Sequence, residues 1–236
     1  MNRMIKRSSI FASIFVFALF CTGAVLAAAG YTLFGDASLV SPGNNSPTAA
    51  EIKYDPAGLQ YGGVDFTVPE GLTLADLDVL STDYKFTAGS CGGGSPRFQI
   101  NVQDPTTNTV KNIFVYIGPA PGYTGCPAGI YLNTTNLLDP VDFVDATQLG
   151  GLFYMPYASA QAAYGTYEVV GIQLVADGYS GVAQTTHIDN VQINNSTTTF
   201  ESADSCKKGG YTQFTSAPGP FKNQGQCVSY FAKGGQ

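Results

Sequence analysis

Alternation of apolar and polar residues predicts two well-defined β-strands. The clearest is Arg97–Gln103, in which three apolar residues alternate with Gln99, Asn101 and Gln103. Successive strand residues point to opposite faces, so the three amides share one face and the apolar side chains share the other. A shorter alternating segment, Gly62–Val68, predicts a second strand of the same kind.

Three further segments are sufficiently apolar to be strands. Asn112–Gly118 is apolar on both faces, which predicts a central strand. Tyr167–Ala176 is predicted to be a long buried strand, and Thr185–Asn194 is predicted to be the last strand. Within that last strand the alternation breaks at Asp189-Asn190, and one extra residue there predicts a β-bulge.

Helical patterns are scarce. Met155–Tyr164, rich in alanine and bounded by glycines, is the best candidate for a short helix, and Leu72–Leu80 predicts a helical turn or an irregular edge. Many short strands separated by turn signals predict an all-β fold, an antiparallel two-sheet sandwich of the jelly-roll type. We assign this sandwich domain to residues 30–194.

The first 29 residues have the pattern of a secretory signal peptide. Three basic residues precede an apolar run from about Ile10 to Leu26, and residues 27–29 are the small residues that cleavage requires. The mature chain would begin near Gly30, outside the cytoplasm, and would be secreted. If the run is not cleaved, its length would anchor the protein at the cell surface. No later segment approaches the length of a membrane span.

Four cysteines follow the predicted signal: Cys91, Cys126, Cys206 and Cys227. Three pairings are possible in an oxidising compartment, and sequence proximity favours Cys91–Cys126 and Cys206–Cys227. None of the four has a C-x-x-C spacing and the chain has one histidine, which argues against a zinc site. The polar residues 195–204 are predicted to be a linker, and residues 205–236 a mini-module closed by the second disulfide.

The distribution of charge narrows the choice of partners. The chain has 11 basic and 17 acidic residues, and three of the basic residues lie in the predicted signal. The rest of the chain therefore has a net charge of −9, which argues against nucleic acid as a partner, because binding phosphates requires a basic surface. The C-terminal mini-module is the one mildly basic region.

Several blocks of the body resemble a group of bacterial secreted proteins of uncharacterised function. The resemblance spans about residues 60–194, and its most specific block is Cys-Gly-Gly-Gly-Ser-Pro-Arg-Phe at residues 91–98. Residues 188–191, Ile-Asp-Asn-Val, are similar to the final strand of jelly-roll carbohydrate-binding modules. The segments Cys-Lys-Lys-Gly-Gly and Phe-Lys-Asn-Gln-Gly-Gln-Cys-Val-Ser, which begin at residues 206 and 221, resemble a short C-terminal element of bacterial exported proteins.

The resemblance to jelly-roll modules implies a structural calcium ion. An aspartate at this Ile-Asp place often helps to hold Ca²⁺ in such modules, which makes Asp189 the expected ligand. Carboxylates and the backbone carbonyls that a bulge exposes are suitable ligands for a hard cation. We expect an N-terminal acid, Asp36, to be its partner.

Candidate residues for ligand binding follow from the needs of a sugar site, which combines planar aromatic rings with amides and acids. Gln99, Asn101 and Gln103 would line one strand face, and Tyr116 is a candidate aromatic. Arg97, the one arginine after the predicted signal, either pairs with an acid of the body or contacts an anionic group of a ligand.

Catalysis has weaker support in the sequence. His187 and Asp189 are two residues apart on a strand, so their side chains can share a face. They could bind a metal together or act as a base oriented by an acid. The alternative is that His187 is an ordinary exposed strand residue and Asp189 is a structural aspartate. Acid clusters at residues 76–83 and 139–145 lie in turn-like sequence, where aspartate commonly caps turns.

The chain is therefore predicted to be a non-catalytic secreted module that binds an extracellular ligand, and carbohydrate is the first candidate for that ligand. One alternative is a structural or adhesive surface protein that binds a protein or itself. The other is a glycan hydrolase or lyase on the same scaffold.

Overall fold

The computed structural model describes residues 30–178 and 181–234, so the predicted signal peptide lies outside the described residues. The strands are β1 (Tyr31–Gly35), β2 (Ala37–Val40), β3 (Ala49–Tyr54), β4 (Gly62–Phe66), β5 (Leu80–Ala88), β6 (Arg97–Gln103), β7 (Val110–Tyr116), β8 (Leu132–Asn133), β9 (Phe143–Val144), β10 (Met155–Pro156), β11 (Glu168–Ala176), β12 (Gln184–Ile193) and β13 (Ser196–Thr198). The α-helices are α1 (Tyr157–Tyr164) and α2 (Gln224–Ala232), and short 3₁₀ turns occupy Leu74–Asp76, Thr147–Leu149 and Gly210–Gln213.

The strands form the predicted antiparallel two-sheet sandwich. The first sheet has the order β1-β4-β11-β6-β7, and the second has the order β2-β3-β12-β5-β8 with β13 beside β12. Strands β9 and β10 form a separate small hairpin next to the end of β7. No helix within the described residues has the length and apolar character that crossing a bilayer requires.

The core lies between the two sheets. In the first sheet Val64, Leu174, Phe98 and Val115 are direct cross-strand partners, and all four are buried. In the second sheet, Ile188 is likewise buried and lies between its cross-strand partners on β3 and β5. Burying each such side chain is worth about 1.5–3 kcal/mol, so the inner faces fix the register of both sheets.

The prediction of a central strand at Asn112–Gly118 is wrong. The strand, β7, lies at the edge of the first sheet and pairs along its length with β6 alone. Its outer apolar residue, Phe114, is covered by the guanidinium of Arg97, 4.7 Å from the ring centroid. The backbone of Asp145 also exchanges hydrogen bonds of 2.9 and 3.0 Å with that of Phe114. The outward side of β7 can thus carry an apolar residue, because the Arg97 side chain and the loop at Asp145 cover Phe114.

The last long strand carries the predicted bulge. The register between β12 and β5 shifts between Asp189 and Gln192, and Asn190 has a φ of 47°. The short helix is also confirmed, since α1 lies within the predicted segment Met155–Tyr164. In the ambiguous segment Leu72–Leu80 the structure has a 3₁₀ turn.

The segment predicted to be a linker packs against the sandwich instead. Ser196–Thr198 forms β13 and pairs with β12. Phe200 is only 1% exposed and packs edge-to-face against Tyr31 at 4.9 Å. The polarity of residues 195–204 concealed this packing, because main-chain pairing needs no apolar residue and one phenylalanine is sufficient to fill the site.

The C-terminal mini-module has its own small core. The buried residues are Cys206, Phe214, Phe221 and Cys227. Helix α2 begins where the Asn223 side chain accepts a hydrogen bond from the backbone N–H of Gln226. The module contacts the sandwich at the turn before β3, where Thr215 donates to the backbone carbonyl of Asn45.

Both disulfides have the pairing that sequence proximity favours. Cys91 joins Cys126 with a Cα–Cα distance of 5.4 Å, and Cys206 joins Cys227 with a distance of 5.7 Å. The first closes the loop region beside the start of β6, and the second closes the mini-module.

Candidate functional site

Polar residues form a continuous patch on the outer face of the first sheet. Asp65, Gln173, Gln99 and Phe114 are cross-strand partners in one row. The next row consists of Gly171, Asn101 and Asn112. We call the five polar residues Asp65, Gln99, Asn101, Asn112 and Gln173 the amide face. All five are partly exposed, whereas their neighbours along each strand are mostly buried in the core.

Hydrogen bonds connect the residues of the amide face across three strands. The Gln99 amide donates to Asn101 Oδ1 and to Gln173 Oε1, both at 3.1 Å. The Gln173 amide in turn donates to Asp65 Oδ1. A side-chain amide has two donor hydrogens and an acceptor oxygen, so these bonds orient the groups and leave capacity for a ligand.

A glycine opens the middle of the face. A Cβ at Gly171 would lie 3.2 Å from Nδ2 of Asn101, closer than most Cβ contacts. The missing side chain leaves the amide of Asn101 accessible. The surface there can therefore accept a flat or extended ligand.

Arg97 lies on the same face but is fully committed to the protein. Its guanidinium donates two hydrogen bonds to the carboxylate of Asp177, at 2.6 and 2.5 Å, and one to the carbonyl of Gly94 at 3.0 Å. Its side chain is 15% exposed and stacks over Phe114. Of the two roles open to Arg97 in the sequence, the structure shows the ion pair.

Tyr116 is the direct partner of Arg97 across β6 and β7. Its hydroxyl donates to Asp145 Oδ2 at 2.7 Å. Burial, the bond to Asp145 and the charge of Asp145 raise the pKa of the Tyr116 phenol well above its usual value, so the group remains a proton donor. Its ring stacks on Phe153 with centroids 5.7 Å apart.

Aromatic rings extend from Tyr116 to one end of the face. Tyr123 lies 5.2 Å from Tyr116 and stacks on Tyr154, and Phe143 meets Tyr154 edge-on. Phe143, Phe153 and Tyr154 are 40–45% exposed. We call Tyr116, Tyr123, Phe143, Phe153 and Tyr154 the aromatic rim. The rim lies beside the point where the backbone of Asp145 pairs with that of Phe114 on β7.

Gln103 shares the outer face of β6 at the other end. It lies opposite Glu168 and Val110, and its amide donates to Asn108 in the turn between β6 and β7. The three predicted amides of β6 therefore do share one face, and Gln103 marks its margin.

The residues that sequence reasoning missed come from other strands. Asp65 and Gln173 join the amide face through strand pairing, and Phe143 and Phe153 join the rim through the β9–β10 hairpin. The one local signal was Gln173, which interrupts the apolar run that follows Glu168 in this strand.

The outer face of the second sheet is closed by chain that folds over it. Asp189 is 0% exposed; its Oδ2 accepts from the backbone N–H of Asn44 and the hydroxyl of Ser46, and its Oδ1 accepts from the backbone N–H of Asn190, each at 2.8 Å. Burial and the charge of Glu201 raise the pKa of Asp189 to about 7.

A second aspartate stands beside it. Asp83 is the strand partner of Asp189, and its carboxylate accepts from the side-chain amides of Asn44, Asn133 and Asn190. Among the described residues, Glu201 Oε2 and the Tyr131 hydroxyl are buried polar atoms without a hydrogen-bond partner.

The placement of Asp36 does not fit the predicted calcium pair. Asp36 adjoins Lys53 at one end of β3, whereas Asp189 lies near Ala49 at the other end, about 13 Å of strand away. Within residues 30–178 and 181–234, no three His, Cys, Asp or Glu side chains are grouped so that they could hold a metal. N–H and O–H donors also occupy both oxygens of Asp189. Calcium at Asp189 alone stays a prediction.

The other acids and His187 have structural partners. His187 Nε2 lies 3.0 Å from Glu51, which also pairs with Lys53 at 2.6 Å. Burial lowers the pKa of His187, so the imidazole is neutral at pH 7. In the two acid clusters, Asp76 accepts from the hydroxyl of Thr73 and Asp139 accepts from the side-chain amide of Asn136.

No protein-family model matches the chain, and no curated protein sequence matches it. Among solved structures, an exo-β-agarase aligns with a TM-score of 0.39 and 14% identity over 71% of this chain. This chain spans only 24% of the agarase.

Two carbohydrate-binding modules also align with the chain. The family 11 module of a cellulosomal cellulase of Clostridium thermocellum has a TM-score of 0.38 and 14% identity, and the alignment covers 70% of this chain and 82% of the module. A family 28 module specific for non-crystalline cellulose has a TM-score of 0.36 and 16% identity, with coverages of 70% and 86%. TM-scores below 0.5 do not establish a shared fold.

Proposed function

We propose that this protein is a non-catalytic, secreted module that binds an extracellular glycan across the amide face and the aromatic rim. The observation that carries the proposal is the patch of uncharged amides, in two adjacent rows on three strands, that is partly exposed and lies next to exposed rings. Amides exchange hydrogen bonds with sugar hydroxyls, and aromatic rings cover the C–H faces of sugar rings.

The form of the surface supports an extended ligand. The amide face runs across the sheet from Asp65 to Asn112, and the rim continues it beyond Tyr116. The amides are held by one another and the rim rings by mutual stacking. Binding then costs little side-chain ordering.

The first test is a glycan array, followed by affinity electrophoresis in soluble neutral polysaccharides. A Gln99→Ala/Gln173→Ala double variant removes two neutral hydrogen-bonding groups, each worth about 0.5–1.5 kcal/mol. The expected loss in affinity is roughly 5-fold to 150-fold. Gln213→Ala removes the same chemistry from an exposed position in the mini-module and should leave binding unchanged.

A second pair of variants separates ring stacking from simple apolar contact. Phe153→Ala removes a ring that stacks on Tyr116, whereas Leu152→Ala removes an adjacent side chain that is 67% exposed. The proposal requires a clear loss of affinity in Phe153→Ala and little change in Leu152→Ala. Equal losses would count against the rim as a sugar platform.

The adhesive alternative has a different result in the same experiments. If no glycan on the array binds and the protein self-associates in sedimentation velocity, the glycan proposal fails and the structural or adhesive function takes its place. Recovery of the mature chain, beginning near Gly30, from the culture medium tests secretion.

A further inference from the structure

The basic residues of the first sheet are both neutralised. Its five strands contain two, Arg97 and Lys111. Arg97 forms a two-pronged pair with Asp177, and Lys111 lies 3.5 Å from Asp104 beyond the other end of the face. Arg97 cannot offer its charge to a ligand without first breaking its pairing with Asp177.

The guanidinium of Arg97 is also sterically enclosed. The Asp177 carboxylate lies along its edge, the Gly94 carbonyl takes a further N–H, and Phe114 covers one of its planes. Paired charges of this geometry are strong hydrogen-bonding partners, so a carboxylate or sulfate of a ligand would have to compete with Asp177.

The remaining charge on and around the face is negative. Asp65 belongs to the amide face, and Asp145 accepts a hydrogen bond from the hydroxyl of Tyr116. A ligand that carries carboxylates or sulfates would approach these groups with the same sign of charge, and such pairs repel.

From this arrangement we infer that the amide face selects uncharged glycans and that Asp177 determines this selectivity by neutralising Arg97. The inference rests on the proposed glycan-binding function and adds to it the charge class of the ligand. Removing the charge of Asp177 should release Arg97 and make the face attractive to anionic glycans.

The test uses the full chain with both disulfides intact and three matched pairs of polysaccharides. These are hydroxyethylcellulose with carboxymethylcellulose, agarose with ι-carrageenan, and mannan with polymannuronate. Affinity electrophoresis gives the ratio of affinities within each pair. We expect the neutral member of at least one pair to bind, and its anionic partner to bind at least tenfold more weakly.

The variant Asp177→Asn keeps the shape of the side chain and removes its charge. It should strengthen binding to the anionic member at least threefold relative to the neutral one, and added salt should abolish that gain. Asp204→Asn is the matched control, because Asp204 pairs with Lys207 at 2.5 Å in the mini-module, away from the face. It should leave the ratio unchanged.

The outcomes separate the two claims. If wild-type protein binds an anionic member as tightly as its neutral partner, or if Asp177→Asn leaves the ratio unchanged, the selectivity inference is overturned while glycan binding stands. If neither member of any pair binds and the array is also blank, the proposed function itself fails and the inference falls with it.

Discussion

Replacing Phe200 by alanine should destabilise the whole sandwich, although the residue lies in a segment whose composition is that of a linker. Its side chain is 1% exposed and meets the ring of Tyr31 on β1 at 4.9 Å. Removing a buried phenylalanine ring costs about 3–5 kcal/mol in transfer free energy and residual cavity. In a domain of this size, that corresponds to a melting temperature lower by about 6–20 °C.

Differential scanning calorimetry of the purified chain measures the effect. Phe214→Ala is the matched control, because Phe214 is equally buried but belongs to the core of the mini-module. It should leave the main transition within about 1 kcal/mol of wild type. A Phe200→Ala variant that also stays within about 1 kcal/mol would refute the reasoning, since residues 195–204 would then be a free linker.

Three further predictions concern the second sheet and the mini-module. The raised pKa of Asp189 means that the folded state holds the proton of this carboxyl group more tightly than the unfolded state does. In EDTA, the free energy of unfolding should therefore fall by on the order of 4 kcal/mol as the pH rises from about 4 to 7. Asp189→Asn should flatten this pH dependence, and a free energy of unfolding that rises over this range would contradict the prediction. For the calcium hypothesis, the expected result is a lower melting temperature in EDTA than in CaCl₂, and an unchanged value removes it. A Cys206→Ser/Cys227→Ser variant should lose about 3 kcal/mol of the stabilisation that the disulfide gives by restricting the unfolded mini-module. Helix α2 should then lose protection from hydrogen exchange, while the sandwich keeps its thermal transition. Retained protection in α2 would show that packing alone stabilises the mini-module.

The sequence alone was sufficient for features that depend on neighbouring residues. Strand Arg97–Gln103 has the predicted bounds, and its alternation correctly placed Gln99 and Asn101 on the face away from the core. The bulge after Asp189 followed from a local break in the same periodicity. These patterns are visible because the side-chain period of a strand is two.

Features that depend on distant pairing were not accessible in the same way. Gln173 meets Gln99 because β11 pairs with β6, across 74 residues of chain. The partner of Arg97 is Asp177, which is 80 residues away. Local periodicity does not specify which strands become neighbours, so it gave the amides of one strand and not the composite face.

The two outer faces of the sandwich show why the amide face is the functional candidate. On the second sheet, the carboxylates of Asp83 and Asp189 point outward, and the Asn44–Ser46 turn covers them and satisfies them with hydrogen bonds. On the first sheet the amide face presents the uncharged amides of Gln99, Asn101, Asn112 and Gln173 beside the carboxylate of Asp65, and all five side chains remain partly exposed. A neutral amide can exchange water for a ligand hydroxyl at little cost, whereas a charged group would lose far more hydration. Recognition of an uncharged ligand is therefore the chemistry for which this open face is suited.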